Sequence, residues 1–501
     1  MDCVVSLDAG TGSGRCIVFD TAGRRLAGAH EPFAYRIFAD PDLPMVRGVD
    51  LDAEAFWCVL ARSTRAALAA LPAEARVRGV IAASQREGCV FVDRDDTVLY
   101  AGPNLDARAV AQGMELQQVL STDRLHEITG HAPPYIFALA RLLWFRRHHD
   151  LGRVATLYML NDWIAYRLSG ARVAEHSNAS ESMLYDVTRR AWSEEILGAF
   201  DLPPAILPPL CDAGTPIGRV HAAAAAATGL PAGTPVFAGG ADTESALLGC
   251  GAWDTGHLAG VLGTTAPVQL VTDGPLIDAG GNLWTSPHVV RGRWVLESNG
   301  GDTGNAWRWL LELLCGAGDA HAAAEAAMAA LDPAPRPIVS HLGPAIFNLR
   351  SAHPFSVAGL LFRFPLLHID RPGRAELLRA FVENVAFAIR GNCEQIAAVA
   401  GRPASELLVT GGLTQSPTLL RIVAAALAVP LVVAEVTDGT ALGSAILATV
   451  SAGLHADVPS AVAGMVRART VEPDVALIPA YEEQYHRWRE WYDRLVASTI
   501  V

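Results

Sequence analysis

The chain opens on a short apolar run, Cys3 to Leu7, passes through a glycine-rich polar stretch from Asp8 to Arg15, and returns as a second apolar run, Cys16 to Phe19, closed by Asp20. Two apolar runs joined by a tight Gly/Ser/Thr turn predict a β-hairpin. From Leu51 to Leu71 apolar residues recur at helical spacing, whereas Val77–Ala83 and Gly88–Asp93 are continuous apolar runs of strand length. Helical spacing returns over Ala107–Leu120, Phe137–His149 and Trp163–Leu168. Strands that alternate with helices predict an α/β fold.

The middle of the chain repeats the opening device. A strand at Val236–Ala238 leads into Gly239-Gly240-Ala241-Asp242 and a helical stretch, Ser245–Leu248. Then His257–Leu262 and Pro267–Val271 flank Gly263-Thr264-Thr265-Ala266, a second strand–turn–strand unit. One device used twice at this separation predicts two similar halves, 1–248 and 249–501, rather than a short repeat. The second half is expected to hold helices at His321–Leu331, Ala375–Ala400, Pro417–Leu427 and Ala441–Ala452, with strands at Leu407–Thr410 and Leu431–Ala434. Ala222–Ala227 reads as a short helix, and Tyr481–Leu495, with aromatic residues at helical spacing, as an amphipathic closing helix.

Composition narrows the chemistry. The 501 residues are 51% hydrophobic and 18% charged, which excludes a disordered chain. A net charge of −13 argues against a nucleic-acid partner. The chain contains no lysine, so all 39 basic residues are arginine. Schiff-base catalysis, the Walker phosphate loop and the protein-kinase fold, each of which uses a lysine, are therefore excluded in their usual forms. The eight cysteines are scattered without a C-x-x-C pair, as expected of a reduced, cytoplasmic protein. Asp2 and Asp8 flank the first apolar run, unlike a signal peptide, and Leu419–Val436 is broken by Arg421, Pro430 and Glu435, so no membrane partner is expected.

Against that background a few polar groups stand out. Gly10, Thr11, Gly12 and Ser13 form a turn whose backbone N–H groups can cradle an anion, beside the carboxylate of Asp8. A carboxylate next to a phosphate makes sense with a cation between them; an ordinary hairpin turn is the plainer alternative. Gly263-Thr264-Thr265 is a second such turn. Asp242, on a glycine turn after a strand, suits a general base for a hydroxyl nucleophile, although a helix N-cap is a common use of Asp there. Arg86 and Glu87, at the end of the Val77–Ala83 strand, can donate to and accept from the vicinal hydroxyls of a polyol; a surface ion pair is the alternative reading. Asn104, Asp106 and Arg108 form a second polar cluster and Asp162-Trp163 a third. Gly411-Gly412, with Gln415 and Ser416, can admit an adenine close to the backbone, or serve as a tight βα connection. His131, His148 and His149 lack metal-ligand spacing and are given no role.

In order and spacing these pieces resemble the FGGY carbohydrate kinases, relatives of heat-shock chaperone ATPases and actin, from Cys3 to about Ala452. Ser177-Asn178-Ala179-Ser180, Asp186, Trp192 and Glu383 to Arg390 also fit that pattern. The resemblance implies two actin-like, ribonuclease H-like domains with a cleft between them, and transfer of the γ-phosphate of MgATP to a primary hydroxyl of a small sugar. It implies Asp242 as base and as a metal-site residue with Asp8. It further implies Arg86, Glu87, Asp106 and Tyr135 on the sugar; Gly10 to Ser13, Arg15 and Gly263 to Thr265 on the phosphates; and Gly411, Gly412 and Gln415 on adenosine. Asp438 stands where relatives often carry Glu. Arg86-Glu87-Gly88 is similar to autoinducer-2 kinases and shares Arg-Glu with glycerol kinases, where xylulose kinases usually show Met-His-Gly. The expected substrate is thus a pentulose such as D-xylulose or the linear autoinducer-2 precursor, with a polyol kinase or a non-catalytic sugar sensor as alternatives; a homodimer is one option for assembly. An actin-like or chaperone-like ATPase acting on a protein partner is disfavoured by the Arg86-Glu87 cluster and by the lack of any polymer or peptide-binding extension.

Overall fold

Strand Asp2–Ala9 is buried from Cys3 onward because it lies inside a sheet. On one side it pairs antiparallel with Ser13–Asp20, Asp8 opposite Arg15 and Ala9 opposite Gly14, which is the hairpin expected from the opening pattern. On the other side it pairs parallel with Arg76–Ser84, and beyond that Pro235–Phe237 adds another parallel strand with Val236 opposite Val80. Burial on both faces explains why these strands read as continuous apolar runs. Helix Ala53–Ala69, whose first turn is capped by Asp52 accepting from Ala55 N–H, lays Phe56, Trp57 and Leu60 onto Val5, Leu7, Cys16 and Val18.

The computed structural model describes residues 1–39, 46–133, 135–316, 319–348, 358–362 and 371–497. They fall into two units: Met1–Thr255 with Val271–Leu296 and Asp438–Val466, and Gly256–Leu270 with Glu297–Thr437 and Arg467–Val501. The first crossing, after Thr255, lies close to the boundary expected near residue 248, but the chain crosses again after 270, 296, 437 and 466. The return of helix Gly439–Ser451 to the first unit has a steric cause. A Cβ on Gly443 would sit 1.8 Å from the Ser245 carbonyl oxygen, and one on Gly249 would sit 2.0 Å from that of Gly439. Backbone contact with helix Asp242–Gly249 is possible only with glycine at both places.

In the second unit, strands run in the order Trp294–Asp302, Thr265–Thr272, Leu258–Val261, Leu407–Thr410, Leu431–Ala434, Ala468–Val471. Leu258–Val261 and Leu407–Thr410 are parallel, with Val261 opposite Thr410. Helix Ile478–Ala497 closes this unit: Trp488 is buried, and its indole N–H bridges the Ser340 carbonyl (3.0 Å) and Asn384 Oδ1 (2.8 Å). Helix Ala222–Thr228 also forms as expected, whereas the stretch Ala107–Leu120 forms a helix only over Val110–Leu116. Among the described residues no helix is long and apolar enough to cross a membrane.

Candidate active site

The parallel strands of the first unit deliver chemistry at their carboxyl ends, where open α/β sheets place ligands. Asp8 ends one strand, Ser84-Gln85-Arg86-Glu87 follows the next, and Gly239 to Asp242 follows the third. Ser84 N–H bonds the Gly240 carbonyl at 3.3 Å, so the last two segments lie side by side. Asp242 is the first residue inside helix Asp242–Gly249 and Ala241 is its N-cap, so the Asp242 carboxylate is not used as a cap. It accepts from the Thr243 hydroxyl at 3.2 Å. Burial raises its pKa, partly offset by the Arg86 guanidinium.

Arg86 is buried, with its guanidinium 3.7 Å from Glu244, 3.9 Å from Glu181 and 5.5 Å above the Trp284 ring. Glu87 is only 6% exposed and adopts φ +58°, a strained conformation for a residue with a Cβ. Its carboxylate takes no hydrogen bond among the described residues. Burial holds its pKa well up; Arg86 opposes this, and Glu181 and Asp242 add to it. A buried, strained and unbonded acid is what a ligand-facing group looks like before the ligand arrives.

Behind this pair lies a buried group that sequence patterns did not connect. Glu181 Oε1 is 3.2 Å from both His131 Nε2 and Ser286 Oγ. The other ring nitrogen of His131, Nδ1, lies 2.9 Å from the Thr129 carbonyl. Burial pushes Glu181 up and His131 down, but it is outweighed for Glu181 by His131, Arg86 and Ser286 together, and for His131 by Glu181 with the Thr129 carbonyl, so Glu181 lies low and His131 high. His131, which has no role in the sequence reading, therefore backs Glu181 and through it Arg86.

Asp106 corrects the sequence expectation. It is fully buried, and both its oxygens are already occupied. Oδ1 accepts from Val49 N–H (2.9 Å) and Arg108 N–H (3.3 Å); Oδ2 accepts from Tyr100 Oη (2.5 Å) and Arg108 Nε (2.7 Å). In this arrangement no oxygen is left for a sugar hydroxyl, and Asp106 ties Val49, Tyr100 and Arg108 together. Tyr135 is partly buried, and no hydrogen bond or ion pair links it to Arg86 or Glu87.

The first glycine turn is built to be approached. A Cβ at Gly10 or Gly12 would meet nothing within 4 Å, and neither has positive φ, so neither protein packing nor backbone strain demands glycine there. Three side chains hold the turn. Tyr35 donates to the Thr11 carbonyl (2.5 Å), Gln85 to the Gly10 carbonyl (3.3 Å) and Asn104 to Thr11 Oγ1 (2.9 Å). With its carbonyls tied to protein, the turn leaves Ser13 and the backbone N–H groups for an anion. Arg15 lies 3.6 Å from both Asp8 and Asp438, and Asp438 also pairs with Arg25 at 3.3 Å.

Asp8 is buried, and its pKa is pushed up to about 7 by burial, against the pull of Arg15, with Asp242 and Asp438 adding to the rise. Between about pH 4 and pH 7 the unfolded chain releases a proton that folded Asp8 retains. Stability of the nucleotide-free protein should therefore fall as pH rises through that window and level off above it. Asp8→Asn is expected to flatten this part of the unfolding-midpoint profile; a variant curve that superimposes on wild type would contradict the Asp8 environment described.

In the second unit the other two turns come together. Leu262 N–H bonds the Thr410 carbonyl (2.8 Å) and Leu413 N–H bonds the Leu262 carbonyl (3.1 Å), which seats Gly411-Gly412 beside Gly263-Thr264-Thr265. Gly411 is required there: φ is +104°, and a Cβ would lie 2.5 Å from the Leu262 oxygen. Gly412, by contrast, faces open space. Thr264 and Thr265 are exposed, and the Thr264 carbonyl caps the start of helix Gly304–Cys315 by accepting from Thr303 and Gly304 N–H (2.9 Å each). Gln415 is exposed, whereas Ser416 caps helix Pro417–Leu427.

Residues 3–249 match the N-terminal domain of the FGGY family of carbohydrate kinases, and residues 258–452 match its C-terminal domain. An autoinducer-2 kinase from Yersinia pseudotuberculosis serotype O:3 (strain YPIII) is 33% identical over 522 residues, covering 98% of this chain and 94% of its own. Among solved structures, a xylulose kinase from Rhodospirillum rubrum superposes with TM-score 0.84 at 24% identity, covering 98% of this chain and 99% of its own. Plasmodium falciparum glycerol kinase with ADP superposes with TM-score 0.85 at 17% identity, covering 99% of both chains.

Proposed function

The chain belongs to the FGGY family of carbohydrate kinases, and from that premise we propose that it phosphorylates a primary hydroxyl of a short open-chain sugar, with the linear autoinducer-2 precursor favoured over a pentulose such as D-xylulose. The observation that carries this reading is Glu87, buried and unbonded beside Arg86. An acid and a guanidinium side by side accept from and donate to adjacent hydroxyls of a flexible chain. The full-length likeness to an autoinducer-2 kinase supports the same choice.

In this mechanism Asp242 accepts the proton of the attacking hydroxyl as its oxygen bonds to the γ-phosphorus. The bond from that phosphorus to the β,γ-bridging oxygen breaks, and ADP leaves. Burial makes Asp242 a stronger base than an exposed carboxylate, while Arg86 keeps it from being protonated too readily. The Gly10–Ser13 turn and Arg15 offer N–H, hydroxyl and guanidinium donors to phosphate; in the second unit Gly263–Thr265 and Gly411, Gly412 and Gln415 offer backbone N–H, hydroxyl and amide groups to the nucleotide. The chemistry is mostly positioning and charge stabilisation. Asp242 and Asp438 add negative charge around Asp8, against the pull of Arg15, which suits Mg²⁺. Among the described residues no group of three ligating side chains converges, so Asp8 would hold the ion through its water shell. Mg²⁺ bound with the nucleotide would neutralise phosphate charge.

Glu87→Ala tests the pocket. Leaving hydroxyls without their partner costs about 1–3 kcal/mol, so KM for the true sugar should rise about tenfold or more with KM for ATP nearly unchanged. Unchanged kinetics for every sugar tried would overturn the assignment.

A further inference from the structure

Ser177 and Asn178 sit at the start of a short helical turn, His176–Ser180, and the mechanism above gives them nothing to do. Yet both are fully buried and reach the strand ends that carry the site. Glu175 Oε2 accepts from the Ser177 hydroxyl (2.6 Å) and from the N–H groups of Ser177 (2.9 Å) and Asn178 (3.2 Å). A serine hydroxyl has one proton, and here it goes to Glu175, which turns a lone pair toward Ala241 N–H at 2.9 Å. At the other end of the same turn, Asn161 Nδ2 donates to the Gly239 carbonyl at 2.8 Å. Asn178 Nδ2 joins the two grips by donating to Asn161 Oδ1 (2.8 Å) and Ser84 Oγ (3.0 Å). The approach needs a glycine between them: a Cβ on Gly240 would stand 2.7 Å from Ser177 Oγ and 3.2 Å from Glu175 Oε2. The turn Gly239 to Ala241 is thus held at its first carbonyl and its last N–H, and Asp242 follows directly.

We propose that Ser177, oriented by Glu175, is a positioning residue for phosphoryl transfer: its hydroxyl fixes the Ala241 N–H and so aims the Asp242 carboxylate at the acceptor hydroxyl. This rests on Asp242 being the base. Ser177 and Glu175 are both buried behind the Gly239–Ala241 turn and act on Asp242 through its backbone. A bond that merely stabilised the fold would change the unfolding midpoint and leave turnover alone, because backbone burial does not depend on where the carboxylate points. An aiming role instead appears in kcat, since small displacements at a reacting atom cost rate far more than stability.

The test is a double-mutant cycle of Ser177→Ala with Asp242→Asn, read as kcat and KM. Ser177→Ala is expected to lower kcat about tenfold with both KM values within about twofold, and to cause no further loss on the Asp242→Asn background. Glu175→Gln, nearly isosteric and keeping an acceptor oxygen, is expected to lose about threefold in kcat and likewise nothing on that background; it serves if Ser177→Ala does not fold. Wild-type kcat in both variants, or losses that multiply with Asp242→Asn, would overturn the proposal while leaving the base intact. Near-normal turnover of Asp242→Asn alone would instead overturn the base assignment, and the positioning role with it.

Discussion

Asp242→Asn is expected to lower kcat by about 100-fold or more, the usual scale for removing a positioned base, while sugar binding and the unfolding midpoint stay near wild type. The amide matches the carboxylate in shape and can still accept from the Thr243 hydroxyl. The helix loses no cap, because Ala241 occupies that position. Only the capacity to take a proton disappears. Measured kcat with calorimetric sugar affinity separates the two properties. Near-normal kcat with intact affinity would remove Asp242 from the role, and joint loss of affinity and folding would make it structural.

Asp106→Ala is expected to destabilise the first unit by about 3 kcal/mol or more, the scale for leaving one partner of a buried ion pair alone. The change strips Val49 N–H, Tyr100 Oη and the Arg108 guanidinium of a shared acceptor in a fully buried place. Asp50 retains part of Arg108, at 2.5 Å, which limits the loss. Denaturant unfolding should show the effect, and sugar KM measured below the unfolding midpoint should change little. A stable variant with a raised sugar KM would restore Asp106 to substrate reading.

These two aspartates show where sequence was informative and where it was not. The hairpin around Asp8, the strand Leu407–Thr410 and the helix Pro417–Leu427 were legible because local apolar period and turn chemistry agree with the tertiary outcome. The turn carrying Asp242 was legible for the same reason: strand, glycines and acid are contiguous. Asp106 was misread because its partners Val49 and Tyr100 come from separate segments, and the polar string Asn104 to Arg108 looks alike whether it faces a ligand or its own fold. His131 and Glu181 lie 50 residues apart and meet only in the folded chain. A signal for Glu181 did exist, since Glu175 and Glu181 bracket small polar residues in a stretch that the structure buries almost completely. The interleaving of the units is not legible in the sequence because Gly443 and Gly249 look like ordinary helix glycines, and only the fold brings their backbones into contact.

The most direct test of the central claim is a coupled ADP-release assay of the wild-type protein with MgATP across glycerol, D-xylulose, the linear autoinducer-2 precursor and glucose. The account predicts turnover with a short open-chain acceptor, the autoinducer-2 precursor giving the highest kcat/KM and glucose the lowest. Glucose as the best substrate, or tight binding of an open-chain sugar without any ADP release, would contradict it.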